Sequence, residues 1–467
     1  MKKSLFFALV CAGALSLCSC GGDEPKNGGG EWTPPVIENP NKIELENAGF
    51  ENGLEGWTIK NFSNGSKTIV EIVDGEGRSE SKAAKIQQWP ENGKCCVALE
   101  RKLTGLEPDV LYRATVSMRY SDLNDGCGAI LFAGDDRQHW NSSKFTSGTK
   151  LENWTTASFD FLTDDNGEAL VYLALGFKWD SYPNIGGRST GTVFYDNFSV
   201  VKVTSEMFSR ESEHIRFYCY PSKVTTSGAN VEKWLKEVDG MYEAYAELVG
   251  AVPHQGRKLT ILTTQGMYSG YWALAGYPIL WGANTQAPEQ HFNELAEKGT
   301  ISFGLMHEIG HVFNVNYNFN GQQYYSNWNW NDEMFANFRM HYGLEKVGAK
   351  VYMTANGASA ARLYTGAEIL DMYKADYEQT LPTGKFNDNA IHYLLANLTN
   401  SIGWEPFKRT FHEITKKSCP YSNKYDKFKY FVNTLSKHAS EVHGTSYDIL
   451  NDMISDTERK AVENQLK

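Results

Sequence analysis

From residue 41 to about 203, short stretches of alternating apolar and polar residues recur between turn-forming clusters. KTIVEIV, KAAKIQQW, YRATVSMRY, GAILFAG, TASFDFLT, ALVYLALGF and TVFYDNFSVVKV each read as a strand. Their spacing predicts an all-β jelly roll or two-sheet sandwich. The pattern changes at a polar junction over 204–212. IRFYCY (215–220) reads as a strand, and Val231, Trp234, Leu235, Val238, Met241, Tyr242, Tyr245 and Leu248 then recur at helical spacing. KLTILTT (258–264) is another strand. Ile301, Phe303, Leu305 and Met306 lead into a further helix, and Met334, Phe335, Phe338 and Tyr342 give the next one an apolar face. From Leu344 the chain reads as mostly helical, most clearly over 387–402 and 404–416. The expected organisation is multidomain, with an N-terminal all-β sandwich (41–203) before an α+β domain (205–467) whose C-terminal part is helical. The ~430 residues after the leader are too many for one core.

The first 20 residues read as an export signal, with Lys2 and Lys3 ahead of an apolar stretch over 5–17. That stretch is short for a membrane span. It ends Leu17-Cys18-Ser19-Cys20, which resembles a bacterial lipobox and implies cleavage before Cys20 and lipidation of it. Residues 21–40, rich in Gly and Pro, read as a flexible tether. The expected location is an outer-membrane lipid anchor at the cell surface, with the periplasmic face as the alternative. Loss of the two lysines moves the formal charge from −11 to −13. An acidic chain of this kind is a poor partner for nucleic acid. Five cysteines remain after Cys20, an odd number, so at least one is unpaired or joined to another molecule. Cys219 with Cys419, or Cys127 with Cys95 or Cys96, are the candidate pairs.

One stretch carries metal chemistry. HEIGH places His307 and His311 four residues apart, on one face of a helix, with Glu308 beside them. Two imidazoles suit zinc, and the adjacent carboxylate can take a proton from a water. A catalytic site needs a third ligand, and Glu333, in the following amphipathic segment, is the candidate. Asn337, one turn beyond, is placed to orient a ligand histidine. Asp332 is either such a partner or a helix cap.

HEIGH followed by Glu-x-x-x-Asn resembles the glutamate zincins, and most of all the enhancin-like, mucin-targeting zinc metallopeptidases. Gly276-Tyr277-Pro278-Ile279 and Gly403-Trp404-x-x-Phe407-Lys408 are similar to two further stretches of that family. The resemblance covers roughly the last 250 residues. It implies a zincin-type α+β fold and a zinc endopeptidase acting on glycosylated proteins. By position it assigns metal binding to His307, His311 and Glu333 and the catalytic base to Glu308. Tyr393 is a candidate donor to the oxyanion, with Tyr325 and His392 as alternatives. Tyr277 is a candidate for lining the cleft.

The opening NAGFENGLEGW and closing FYDNFSVV of the β region resemble jelly-roll carbohydrate-binding modules. Glycans are then expected partners, held on exposed aromatic faces. Trp89, Trp140, Trp154, Trp179 and Tyr182 are candidates, and Trp140 and Trp179 have the polar loop context of a platform. Trp57 reads as core. Such modules often carry a structural calcium, for which Glu51 and Asp196 are candidate ligands. Three functions follow from these features. The leading one is a glycoprotein-degrading zinc peptidase with a glycan-binding module. The others are a general secreted peptidase or aminopeptidase, for which no GxMEN-like signal is present, and a non-catalytic glycan adhesin.

Overall fold

The computed structural model describes residues 41–63, 67–89, 96–124, 126–135, 138–146, 150–178, 189–204, 207–224, 229–266, 272–282, 286–314, 323–355 and 358–467. The export signal, Cys20, the tether, Cys95, Trp179 and Tyr182 lie outside them. Among the described residues no helix is long and apolar enough to cross a membrane.

Asn41–Lys467 forms one compact unit. Its first part is a sandwich of two antiparallel sheets. In the larger sheet, Thr68–Val73, Ala83–Gln88, Gly191–Lys202, Leu111–Ser121 and Leu151–Leu162 lie side by side in that order, and Lys42–Ile43 also pairs with Gly191–Lys202. The facing sheet runs Thr58–Asn61, Val97–Leu103, Ala169–Leu175, Ala129–Asp135, Gln138–Ser142. Period-two alternation builds the core between them. Tyr112, Ala114, Val116 and Met118 of one strand meet Val171, Leu173 and Leu175 of the other sheet there, with Trp57 among them.

The facing sheet is apolar on both sides. Ile130, Phe132, Tyr172 and Ala174 point away from the sandwich core and pack with Leu262 and Leu280 of a third sheet. This accounts for the unbroken apolar runs AILFA and LVYLALGF, since strands covered on both faces do not alternate.

The third sheet runs Phe208–Glu211, Ile215–Cys219, Leu259–Thr264, Ile279–Gly282, Ala273–Leu274, with the middle three strands parallel and the outer two antiparallel to their neighbours. The expected polar junction over 204–212 thus contains a strand, Phe208–Glu211. Helix α1 (Val231–Val249) makes the crossover between the first two parallel strands. It starts on Asn230, whose side chain accepts from the Lys233 amide, and ends on left-handed Gly250. Helices α2 (Ala287–Lys298), α3 (Phe303–Val312) and α4 (Asp332–Val347) follow. Ile261 and Ile279 face α1 and α3 in one core. A hairpin, Lys350–Met353 with Arg362–Thr365, interrupts the stretch expected to be helical. Helix α5 (Asp371–Thr380) sends Met372 and Tyr373 into that first core, while α6 (Asp388–Asn397) and the remaining C-terminal helices pack on the other face of α4 around a second core.

Polar contacts tie the sandwich to the α/β part. Arg216 donates to Asp109 at 2.8 Å, and the Tyr277 hydroxyl donates to the same carboxylate at 2.9 Å. Cys219 and Cys419 lie in different cores, each as a buried thiol, so that candidate disulfide is not formed.

Candidate metal centre

Helix α3 is almost wholly buried, and its Leu305, Met306, Ile309 and Val312 enter the core. From Leu305 to Val312 only His307, Glu308 and His311 reach towards solvent. Ser302 caps the helix by accepting from the Leu305 amide. Helix α4 runs back along it, pairing Asn337 with His307, Ala336 with Gly310, and Asp332 with His311. Gly310 permits this approach. A Cβ there would stand 2.8 Å from the Ala336 carbonyl oxygen.

The loop before α4 is held by its own alternation. Trp328 and Trp330 enter the second core, while Asn327, Asn329 and Asn331 turn to the backbone and to polar partners. Asn331 caps α4 by accepting from the Met334 amide. Asp332 is therefore not the cap and is available to the site.

Three ligand atoms converge. His307 Nε2 and His311 Nε2 are 3.0 Å apart, and Glu333 Oε2 lies 3.1 Å from the first and 3.4 Å from the second. Ligands about 2.0–2.1 Å from a tetrahedral zinc stand about 3.3–3.4 Å apart, so the spacing is that of one face of such a shell. The outer nitrogens fix the tautomers. His307 Nδ1 donates to Asn337 Oδ1 at 2.8 Å, and His311 Nδ1 donates to Asp332 Oδ2 at 2.7 Å. Two imidazole nitrogens and a carboxylate then face one point, an arrangement that repels itself unless a metal ion or a shared proton sits there. The residues fit zinc. Among the described residues one other group of three close ligands occurs, Glu213, His214 and Glu243, on the surface.

Behind Asp332 stands Arg339, fully buried. Its Nη1 donates to the Gly310 carbonyl at 2.8 Å and lies 3.7 Å from Asp332 Oδ1, which also accepts from Asn329. Burial works against ionisation of Asp332, but the bond to His311 and the charge of Arg339 outweigh it and hold its pKa down. Burial likewise opposes charge on His311, yet the bonds to Asp332 and Glu333 raise it to about 9. The bonds from His307 and His311 hold Glu333 well below the usual carboxylate range. Burial raises Glu308, partly countered by His311, His307 and a hydrogen bond from the Ala275 amide. Sequence reasoning missed Arg339 and Ala275. An arginine inside an apolar helix face, in FANFRMHY, was the available signal for the first.

Other candidates fall elsewhere. Tyr277 does not line this site. It is buried at the seam, between the rings of His139 and His254 and under Arg257, with its hydroxyl on Asp109 of the sandwich. Trp140 is 4% exposed and packs on Phe177, so it is core and not a platform. Its strand presents it to the sheet face that the α/β part covers. Tyr393 packs on Tyr377 at 4.9 Å, and no contact among the described residues joins it to the histidine pair. His392 is buried against Phe338, His341 and Tyr373. Asp196 is buried and accepts from the Arg78 and Asn197 amides and the Ser81 hydroxyl, while Glu51 accepts from the Lys82 amide. Neither belongs to a group of three close ligands among the described residues. Of the remaining aromatic candidates, Trp89 lies beneath Lys67. Trp154 lies half-exposed on the outer face of the larger sheet, where Arg119 bridges it and Phe194.

No family model matches the chain, and no curated protein matches it. Solved structures of similar shape include TmCBM61 in complex with β-1,4-galactotriose, at 16% identity and a TM-score of 0.25, covering 34% of this chain and 97% of that one. The CBM22-1 xylan-binding domain from Paenibacillus barcinonensis Xyn10C is similar at 11% identity and a TM-score of 0.24, covering 34% and 93%. A conserved protein of unknown function from Bacillus anthracis str. Ames is similar at 14% identity and a TM-score of 0.39, covering 73% of each chain.

Proposed function

We propose that this chain is a zinc-dependent endopeptidase acting on glycosylated proteins, held at the membrane through Cys20, with its sandwich presenting glycans to the site. The observation that carries the catalytic reading is the convergence of His307, His311 and Glu333 at 3.0–3.4 Å beside a half-buried Glu308. When bound, zinc supplies Lewis acidity, lowering the pKa of a water and polarising a carbonyl. The chain's own residues do the rest. Glu308, made more basic by burial and steadied by the Ala275 amide, takes a proton from the attacking water and returns it to the leaving amine. Asn337 and Asp332 hold the ligand histidines in one tautomer. Ala273–Leu274, at the edge of the third sheet, offers backbone groups to an extended peptide. The outer face of the larger sheet, with Trp154 and Phe194, offers aromatic surface to a pyranose.

The test is digestion of an O-glycosylated mucin-type protein by the zinc-loaded chain, beside Glu308→Ala and beside the same substrate stripped of sugars. Cleavage that needs both Glu308 and the glycan is the expected result. Cleavage of both substrates would make the enzyme a general peptidase. Glycan binding without cleavage would leave an adhesin and refute the catalytic reading.

A further inference from the structure

Trp272 is one of four large apolar residues among those described that stand in the open, at 36% exposure. Its position is unusual for an exposed indole. It directly precedes the edge strand Ala273–Leu274, and three residues later the Ala275 amide bonds the Glu308 carboxylate. Its six-membered ring rests on α3 at Gly304. A Cβ on that glycine would lie 1.4 Å from Trp272 Cη2, 2.1 Å from Cζ2 and 2.5 Å from Cζ3. Any other residue at 304 would push the ring away. Gly304, Glu308 and His311 follow at i, i+4 and i+7 and so share one helix face. The indole is therefore set about one turn, ~6 Å of helix rise, from the carboxylate. Phe303 and Ala275 are half-buried apolar side chains in the same stretches.

We propose that Trp272 is a specificity-determining residue, the wall of a subsite that takes a bulky apolar side chain of the substrate next to the scissile bond. The inference rests on the peptidase reading above. A peptide laid along Ala273–Leu274 would alternate its side chains towards and away from α3. One directed at Gly304 meets an open aromatic face backed by helix backbone and apolar neighbours. That surface rewards burial of hydrocarbon.

The experiment uses the zinc-loaded full chain and matched peptides that differ only in Gly, Ala, Leu or Phe on either side of the cleavage site. The expected preference for Leu or Phe over Gly, at one side only, is roughly tenfold or more in kcat/KM. Trp272→Ala should flatten that preference, and Trp272→Phe should restore most of it. Melting midpoints of both variants control for folding. The same peptides are titrated, as fluorescent conjugates, onto Glu308→Gln, where binding is read without turnover. Phe-peptide binding stronger than Gly-peptide binding, lost in Glu308→Gln/Trp272→Ala, supports the subsite even if no peptide is cleaved, a result that would sink only the peptidase reading. A preference unchanged by Trp272→Ala overturns the proposal. So does a Trp272-dependent requirement for a sugar in place of an apolar side chain.

Discussion

Replacing Asp332 by Asn tests how the proposed metal centre would be held. The substitution keeps an oxygen for His311 Nδ1 to donate to, at the 2.7 Å seen for the carboxylate. It removes the negative charge that makes His311 a stronger base and that stands 3.7 Å from buried Arg339. Loss of such an outer partner typically weakens metal binding 10- to 100-fold, about 1.4–2.7 kcal/mol. The fold is affected separately. Arg339 is 1% exposed and keeps its bond to the Gly310 carbonyl, so the loss of its charged partner should cost about 1–3 kcal/mol, less than an uncompensated buried charge. Competition with a chromogenic chelator reads the first effect, and urea denaturation of metal-free protein reads the second. Asn337→Ala removes only a neutral acceptor from His307 and should fall at the lower end of the affinity range. If Asp332→Asn binds zinc as tightly as the wild type while losing stability, Asp332 serves Arg339 alone, and the reasoning about His311 fails.

Gly310→Ala should cost about 1–3 kcal/mol and also weaken zinc binding, because its Cβ meets the Ala336 backbone and forces α3 and α4 apart; equal urea midpoints would refute this. Trp140→Ala should cost about 3–5 kcal/mol as a core truncation, and loss of glycan retention at unchanged stability would return it to a platform role. The seam should be acid-sensitive. Burial, then Arg257 and His139, push His254 down to about 3, and burial, then Arg257, lower His139. A base with a lower pKa folded than unfolded leaves stability intact above about pH 6.5. Below that it loses about 1.4 kcal/mol per pH unit for each such histidine, down to the folded pKa. Urea midpoints from pH 7 to 5 should fall for the wild type and less for His254→Phe; a flat wild-type profile would count against it.

What could be read from the sequence was local. Strand alternation, the helical period of α1 and the four-residue spacing of His307 and His311 each depend on neighbours in the chain. Glu333 and Asn337 could be placed because one more helical period links them. The misses share a cause: they depend on which surface meets which across the fold. Trp140 sits in a polar sequence context, but its strand turns it towards the third sheet. Tyr277 lies in a turn-like Gly-Tyr-Pro yet packs against His139 from a residue range 138 positions away. Phe208–Glu211 carries Ser, Arg and Glu because it is an outer strand with one paired edge, and so it read as a linker. The runs AILFA and LVYLALGF were read with the alternating strands, yet they do not alternate, and that continuity was the available sign of a sheet covered on both faces.

That covered face constrains how the two parts can cooperate. Ile130, Phe132, Tyr172 and Ala174 share a core with Leu262 and Leu280, and Asp109 binds both Arg216 and Tyr277. The sandwich is therefore not a module swinging on a tether. If the proposed glycan role is right, a sugar held on the outer face of the larger sheet, near Trp154, would sit at a fixed displacement from Glu308. Binding there raises the local substrate concentration only if the peptide between glycan and scissile bond can span that displacement. Cleavage should then depend on spacing. In a peptide series with one glycan set progressively farther from the cleavage site, kcat/KM should rise at a threshold length and then fall slowly as the span lengthens. Trp154→Ala should abolish the rise while leaving the unglycosylated peptide unaffected. A rate independent of spacing, or highest when the sugar adjoins the scissile bond, would place glycan recognition in the cleft itself and leave the sandwich as scaffold.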